Sequence, residues 1–251
     1  MIKLERTQVM GLEPAIRGMR NPMNSWDKSD SGYGCGLSDR HFCGVCESGH
    51  DNSCPNRFQD FVIGPNDHGL AMRLIKGGPV EAKFRRQIFV SVDITAPLYW
   101  WKEFDTYKVG TVANSCSTMH KIHAKEFVLG DFSCERLRTR QSRDVLRDTI
   151  ITLNILRDVY MNGGVLYSEI GDTHTSELVI YAPKSKDIWY EMIQLLPTSY
   201  NQMRTITFNY EVLASMYKSR KNHKLQEWRD LCEWMLALPY PEFITGKVSE
   251  E

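Results

Sequence analysis

The sequence has no excess of charge of either sign, which limits what the protein can attract from a distance. Its 31 basic side chains are balanced by 31 acidic ones, so the formal net charge is zero. A neutral chain has no long-range field that would draw it onto nucleic acid or an anionic membrane. We therefore expect any anionic ligand to be held by local groups, and we do not expect nucleic acid as a partner.

The sequence also lacks a long apolar run. The first ten residues, MIKLERTQVM, carry charges within their apolar stretch, unlike a signal peptide or a membrane-spanning helix. We therefore expect a cytoplasmic protein without a membrane segment. With 251 residues, 42% of them apolar, the chain can bury a full core, and we predict one domain over residues 1–251.

Aliphatic side chains are almost absent from residues 24–57, which are rich in Gly, Ser and Asp and cannot build an apolar core. This segment holds four of the seven cysteines: Cys35, Cys43, Cys46 and Cys54. Clustered cysteines without a secretory signal favour a metal over disulfides, and a Cys-x2-Cys knuckle with two outer cysteines can close a four-sulfur shell around zinc. We predict an inserted zinc-binding loop over residues 30–57 with a structural zinc ion. A redox pair in the knuckle and a surface loop with incidental thiols are the alternatives.

The remaining cysteines, Cys116, Cys134 and Cys232, are scattered along the chain. Isolated cysteines outside an oxidising compartment usually behave as small apolar core residues. We therefore expect all three to be buried thiols.

Hydrophobic periodicity predicts a mixture of strands and helices. Strands are predicted over residues 2–10 and 86–95, with Ile88, Val90, Val92 and Ile94 on one face of the second. Helices are predicted over residues 12–20, 70–76, 97–107, 142–161, 187–196, 199–219 and 222–238, and a loop over residues 168–175. The pattern predicts an α+β fold with a helical C-terminal half.

Residues 96–121 combine large aromatic side chains with cations and hydroxyls. The aromatic residues are Tyr99, Trp100, Trp101, Phe104 and Tyr107, and the basic ones are Lys102, Lys108, His120 and Lys121. Such a set can stack on a planar ring while binding its phosphates, which suggests a nucleotide or flavin site. A buried aromatic helix followed by a polar loop is the alternative.

The same segment resembles the flavin-dependent thymidylate synthases. In that family a strand ending in Ala-Pro leads into a helix with an Arg-His-Arg triplet, followed after seven residues by a serine that helps to bind flavin and dUMP. Counted from Ala96-Pro97, the triplet is Thr106-Tyr107-Lys108; counted back from Ser115, it is Asp105-Thr106-Tyr107. Lysine keeps a positive charge without the planar fork of arginine, and tyrosine cannot carry the charge of histidine.

A second segment, residues 195–228, strengthens the resemblance. The family shows Leu-Pro, an Asn after eleven residues and an Arg after ten more, followed by a His and an aromatic residue. The matching residues are Leu196-Pro197, Asn209, Arg220, His223 and Trp228. Independently of the family, Asn209, Leu213, Met216 and Arg220 recur at helical spacing, so we predict that an amide and a guanidinium share one stripe of a helix. Arg204, near the predicted helix start, would add a phosphate contact. A core helix with solvated polar ends is the alternative.

The resemblance implies a single α+β domain with a small antiparallel sheet, which methylates dUMP to dTMP with FAD, NADPH and methylenetetrahydrofolate. It implies catalytic roles for Tyr107, Lys108, Ser115 and Arg220. It implies cofactor binding by Lys108, Asn209 and His223, and substrate binding by Glu103, Ser115, Ser117, Arg204 and Arg220. It further implies a homotetramer. Three alternatives remain: another pyrimidine-nucleotide modification such as hydroxymethylation, a catalytically inactive nucleotide-binding or scaffold protein of the same fold, and a zinc loop that binds nucleic acid or a protein partner.

Overall fold

A computed structural model describes residues 2–34, 60–169 and 176–247. The strands in these residues are β1 Lys3–Met10, β2 Gly32–Gly34, β3 Asp60–Val62, β4 Phe89–Pro97, β5 Thr111–Ser115, β6 Gly164–Glu169, β7 Ser176–Tyr181 and β8 Asn201–Asn209. The helices are α1 Leu12–Arg20, α2 Pro65–Gly77, α3 Leu98–Phe104, α4 Thr118–Lys121, α5 Arg140–Asn162, α6 Lys186–Leu195, α7 Tyr210–Arg220, α8 Gln226–Leu236 and α9 Glu242–Thr245. The predicted α+β class is confirmed.

Within the described part of the chain, the strands form one four-stranded sheet and two antiparallel pairs. The four-stranded sheet has the order β1-β4-β8-β5, and the pairs are β2 with β3 and β6 with β7. In and just before β4, the predicted apolar face is almost completely buried: Ile88, Val90, Val92 and Ile94 expose 1% or less of their surface. A sheet strand places alternate side chains on one face, which is why these β-branched residues are buried together.

The described residues fall into two compact units. The first comprises Met1–Lys3, Ile94–Thr106 and Asn114–Arg204. Its apolar core lies around α5 and α6, and the buried members are Ile122, Phe127, Phe132, Leu146, Leu153, Leu156, Val159, Ile188 and Met192. Helix α5 begins where the Thr139 hydroxyl accepts a hydrogen bond from the backbone N–H of Ser142 at 3.3 Å, and it ends at Gly163, whose φ of 76° suits glycine.

The second unit comprises Leu4–Asp93, Tyr107–Ala113 and Thr205–Glu251. Helices α1, α2 and α7 contact a 3₁₀ segment, Glu81–Gln87, and α7 also contacts α8 and α9. Its fully buried apolar side chains include Ile16, Ala71, Ile88, Phe208, Tyr210, Leu213, Met216, Trp228, Leu231, Met235 and Phe243.

A buried ion pair in the second unit fixes the chain just before β2. The Nε of Arg20 donates to Oδ1 of Asp67 at 2.5 Å, and neither side chain exposes more than 5% of its surface. The other Asp67 oxygen accepts from the hydroxyls of Ser29 and Ser31, at 2.7 and 2.5 Å, and from the backbone N–H of Asp30 and Ser31. This buried carboxylate thus accepts five hydrogen bonds, one on Oδ1 and four on Oδ2, which offset the cost of burying its charge.

The predicted helix over residues 199–219 is wrong in its first half. Residues 201–209 form strand β8, and α7 starts only at Tyr210. Burial in β8 has a strand-like pattern, with Gln202, Ile206 and Phe208 buried and Met203 and Thr205 exposed. The C-terminal half is therefore not purely helical, because β8 and the β6–β7 pair belong to it.

The predicted zinc ligands Cys35, Cys43, Cys46 and Cys54 lie outside the described residues, so the zinc loop stays a prediction. In the described ranges, no group of three or more His, Cys, Asp or Glu side chains is placed to hold a metal. The two strands on either side of the segment with the four cysteines are paired, since Gly34 of β2 is the register partner of Asp60 of β3.

Of the three scattered cysteines, only Cys232 is buried as expected. Cys134 is partly buried, and Cys116 is exposed. The expectation was wrong for Cys116 because it directly follows β5, the edge strand of the sheet, in which Val112 to Ser115 are all exposed.

Across residues 2–34, 60–169 and 176–247, no helix has both the length and the apolar composition that crossing a membrane would need.

Candidate functional site

The residues predicted to form the site are divided between the two units. Tyr107, Lys108, Asn209, Arg220 and His223 belong to the second unit. Glu103, Ser115, Ser117 and Arg204 belong to the first. Each group forms its own local arrangement.

In the second unit, Arg220 lies against two aromatic rings. Its Nε donates a hydrogen bond of 3.0 Å to the Tyr107 hydroxyl. Its guanidinium carbon lies 4.4 Å from the ring centroid of Trp228 and 5.6 Å from that of Tyr107. The two rings are themselves in contact, with centroids 5.8 Å apart. We call Tyr107, Arg220, His223 and Trp228 the Arg220 cluster; it joins the two segments on which the sequence resemblance rests.

His223 completes this cluster at the end of α7. Its backbone N–H donates to the Arg220 carbonyl at 2.9 Å, and its ring centroid lies 6.2 Å from that of Trp228. The His223 Nδ1 accepts a hydrogen bond from the backbone N–H of Leu225 at 3.2 Å. A ring nitrogen that accepts carries no proton, so in the neutral imidazole the proton is on Nε2.

Asn209 does not lie on a helical stripe with Arg220, contrary to the sequence prediction. It is the last residue of β8 and the N-cap of α7, where its Oδ1 accepts from the backbone N–H of Val212 at 3.0 Å. Gly110, with a φ of 74°, passes close to this cap: a Cβ added there would lie 3.0 Å from Val212 and 3.3 Å from the Asn209 amide nitrogen. Asn209 thus positions the start of α7 and the turn after Lys108. Its cofactor-binding role stays a prediction.

A buried thiol lies near the Arg220 charge. Burial raises the pKa of Cys232 to about 11, although the positive charge of Arg220 opposes that shift. The thiol is therefore protonated at neutral pH and contributes packing rather than nucleophilic chemistry.

In the first unit, Arg204 is held by protein groups on several sides. Its Nε donates to Oε1 of Gln202 at 2.9 Å, one terminal nitrogen donates to Asp105 at 2.6 Å, and its guanidinium lies 4.2 Å from the ring centroid of Trp101. Its side chain is only 15% exposed. Arg204 is in β8, so its predicted position near a helix start is wrong, whereas its phosphate contact stays a prediction.

Gln202 was not predicted, yet it connects this arrangement to the residue after Ser115. The side-chain Nε2 of Gln202 donates to the Cys116 backbone carbonyl at 2.7 Å. Its backbone carbonyl accepts from the Trp101 indole N–H at 2.9 Å. The period-two alternation of residues 201–209 was the signal that could have revealed its inward orientation.

The other predicted residues of the first unit have simpler surroundings. Ser115 is exposed at the end of β5. The Ser117 hydroxyl accepts from the backbone N–H of His120 at 3.0 Å and so caps α4. Glu103 is partly buried near the end of α3, and its carbonyl accepts from the Thr106 hydroxyl at 2.8 Å.

Three of the four aromatic residues of α3 are core residues. Trp100, Trp101 and Phe104 expose 2% or less of their surface, and their ring centroids lie 4.8 to 5.2 Å apart. Tyr99 and Tyr107 are only partly buried, and Tyr107 differs from the aromatic residues of α3 because it lies beyond the end of that helix and contacts Arg220. The buried-helix interpretation holds for α3, and the ligand-binding interpretation depends on Tyr107.

The donor set of the Arg220 cluster suits a flavin or a nucleotide. A guanidinium can bind a phosphate or a ring carbonyl, and aromatic faces can hold a planar base. Tyr107, Arg220 and His223 are only partly buried, so part of each remains accessible. Trp228 is fully buried, and its ring lies against the Arg220 guanidinium.

The fold is that of the flavin-dependent thymidylate synthases, which confirms the predicted resemblance at the level of the fold. Two crystal structures of ThyX from Helicobacter pylori, each with FAD and dUMP, superpose with a TM-score of 0.58. The first is 14% identical in sequence and the match covers 96% of both chains; the second is 13% identical and the match covers 97% of this chain and 96% of that one. No family model matches the sequence, and no curated protein is significantly similar to it.

Proposed function

We propose that this protein binds FAD and a pyrimidine nucleotide, and that it methylates dUMP to dTMP with methylenetetrahydrofolate and NADPH or performs a closely related modification. The main support is the shared fold over nearly the whole chain with ThyX, which was crystallised with FAD and dUMP. The Arg220 cluster adds local support, because cations and aromatic rings are the groups that such ligands need.

In this proposal the protein binds and orients, and the cofactor supplies the redox and one-carbon chemistry. Arg220 holds negative charge on a phosphate or a pyrimidine carbonyl. The Tyr107 hydroxyl and the Trp228 ring keep the guanidinium in one orientation, so that less side-chain entropy is lost on binding. Lys108 and His223 are the proposed additional contacts to the cofactor, and Asn209 fixes the helix that carries Arg220.

The proposed substrate contacts in the first unit are Glu103, Ser115, Ser117 and Arg204. The exposed Ser115 hydroxyl can donate to a phosphate or a carbonyl oxygen. Arg204 is oriented by Asp105 and Gln202, which is how a substrate-binding arginine is pre-organised.

A second candidate is a protein of the same fold that binds nucleotide but has lost catalysis. The observation that favours it is the identity of residues 107 and 108, which are tyrosine and lysine. A tyrosine side chain cannot take up the positive charge of an imidazolium, so Tyr107 cannot replace a charged histidine in the triplet.

Absorbance and turnover distinguish the two candidates. The purified protein should show flavin absorbance at about 450 nm, either as isolated or after FAD is added. It should also oxidise NADPH faster when dUMP is present. A colourless protein that does not bind FAD would refute both the cofactor and the reaction. Flavin binding without dUMP-dependent turnover would support the inactive candidate.

We also propose that Cys35, Cys43, Cys46 and Cys54 hold a structural zinc ion and that the protein assembles as a homotetramer. The support for zinc is the cysteine spacing, together with the β2–β3 pairing that brings the two ends of the segment together. Metal analysis should give about one zinc per chain, and a Cys43→Ser, Cys46→Ser double variant should lose it. Light scattering tests the tetramer.

A further inference from the structure

Five arginines lie just before helix α5 or in its first turns, in the first unit. Arg136 and Arg138 precede the helix, and Arg140, Arg143 and Arg147 belong to it. We call this group the arginine surface. Residues 136–143 contain four arginines and no acidic residue, although the whole chain is neutral. The neutral charge of the whole chain is therefore compatible with a local excess of positive charge in residues 136–143.

All five arginines are exposed. The side chains of Arg140 and Arg147 are 92% and 64% exposed. Arg140, Arg143 and Arg147 are spaced by three and four residues, so they share one face of α5. Before the helix, Leu137 packs against the apolar core of the first unit, while Arg136 and Arg138 on either side of it face solvent.

The segment before α5 is held to the helix rather than extending from it. The Nε of Arg143 donates to the Leu137 carbonyl at 2.9 Å, and the Thr139 side chain caps the helix. The five positive charges are therefore presented together on an ordered scaffold.

Three acidic residues accompany the five arginines, namely Glu135, Asp144 and Asp148, so residues 135–148 carry a net charge of +2 (five minus three). Asp144 lies 3.3 Å from both Arg140 and Arg147, so one carboxylate is shared by two guanidiniums. The first turn of α5 contains no acidic residue, although the positive end of a helix dipole is stabilised by acids and not by arginines. The ion pairs with Asp144 can stabilise α5 by roughly a few tenths of a kcal/mol each, but the helix dipole gives no reason for arginines in the first turn.

Spacing and exposure indicate what these arginines can bind. Arg140, Arg143 and Arg147 are spread over about 10 Å of the helix axis, at 1.5 Å per residue. A single nucleotide phosphate needs groups that converge in a pocket, whereas charges spread along a line fit an extended polyanion. Arginine rather than lysine suits bidentate bonds to phosphate oxygens.

We propose that the arginine surface binds the phosphate backbone of a nucleic-acid strand. Backbone contacts of this kind carry no sequence preference, and each releases counterions, so the affinity should fall steeply with salt. This binding does not depend on the proposed flavin chemistry. It revises the expectation from net charge alone that nucleic acid is not a partner.

The test is fluorescence anisotropy with the full-length protein and a labelled single-stranded DNA of about 20 nucleotides, at salt concentrations from about 50 to 200 mM. An Arg136→Gln, Arg138→Gln, Arg140→Gln variant should bind roughly ten- to a hundredfold more weakly, and its salt slope should fall by about 2. The matched control is Arg73→Gln, Lys76→Gln, Lys83→Gln, which removes the same charge from three exposed residues of the second unit.

Three outcomes would overturn the proposal: no binding by the unmodified protein, equal weakening in both triple variants, or polyglutamate of equal charge competing as well as DNA. The last result would identify an acidic protein as the partner. Selective weakening in the arginine variant, with an unchanged melting temperature, supports it.

Discussion

The Nε of Arg220 donates a hydrogen bond of 3.0 Å to the hydroxyl of Tyr107. These residues are 113 positions apart in the sequence, yet each lies in one of the two segments that carry the family resemblance. The ring of Trp228 supports the same guanidinium at 4.4 Å. The pair therefore shows how a tyrosine in the altered triplet can fix the arginine that the proposed site needs.

Arg220→Lys should weaken FAD or dUMP binding more than Tyr107→Phe does. Lysine loses both the planar fork and the stacking on Trp228, so we expect roughly a tenfold or larger rise in the dissociation constant. Phenylalanine keeps the ring and loses one hydrogen bond, which corresponds to about 0.5–1.5 kcal/mol. Calorimetric titration of both ligands measures the difference, and Lys221→Gln, an exposed neighbour, is the control. Unchanged binding by Arg220→Lys would show that the cluster is not the site.

Arg204→Met should lower the free energy of unfolding by about 1–3 kcal/mol, because it leaves Asp105 and Gln202 without their donor. Stacking of the guanidinium on Trp101 is lost as well. Urea denaturation followed by tryptophan fluorescence gives the value. Arg73→Met, which alters an exposed arginine, should change stability by less than about 0.5 kcal/mol; equal effects would contradict the structural role of Arg204.

Asp67→Asn should destabilise the protein by about 3–5 kcal/mol, because it breaks the buried pair with Arg20. Asp27→Asn, at an exposed position, is the control. Urea unfolding at neutral pH measures both variants. A loss below about 1 kcal/mol would mean that Arg20 tolerates the amide.

The same carboxylate makes stability depend on pH. Burial alone raises the pKa of Asp67, but hydrogen bonds from Ser29, Ser31 and Arg20 outweigh burial and hold the pKa below its usual value. A lowered pKa in the folded state contributes stability that is fully present above the unfolded pKa of about 3.9 and is lost as the pH falls through the folded value. Below about pH 4 the free energy of unfolding of the wild type should therefore fall more steeply with decreasing pH than that of Asp67→Asn. Urea unfolding of both proteins at a series of pH values measures this difference.

The cysteines of the described residues should differ in reactivity. Cys116 is exposed, whereas Cys232 is buried and burial raises its pKa to about 11. Since the thiolate is the reactive form, iodoacetamide at neutral pH should label Cys116 in the native protein and Cys232 only after unfolding. Peptide mass mapping reads each site separately. Native labelling of Cys232 would show that α8 opens readily.

Elements with one strong local signal were predictable from the sequence. The alternation of Val90, Val92 and Ile94 predicted β4, and the periodicity of residues 142–161 predicted α5. Strand β8 was missed because Asn209, Leu213, Met216 and Arg220 fit a helical stripe, and that spacing hid the change from strand to helix at Asn209. Pairing with two neighbouring strands decided the conformation of β8, and local sequence does not contain that information.

The candidate site, like the fold, could be predicted only in part from the sequence. Arg220 and Tyr107 could be found by spacing, but the hydrogen bond between them could not, because it joins residues far apart in the chain. Arg204 was recognised as a polar residue of interest, yet its partners Asp105 and Gln202 became visible only once β8 was known to be a strand.

Gly34 and Asp60, the described residues on either side of the cysteine-containing segment, are register partners in the β2–β3 pair. Strand neighbours at this register are about 5 Å apart, a gap that a short turn can close. We therefore expect that a short turn joining Gly34 to Asp60 can replace residues 35–59 with the Arg20–Asp67 pair and the Arg220 cluster retained. Urea unfolding and ligand binding of such a variant would separate the contribution of the cysteine-containing segment from that of the rest of the chain.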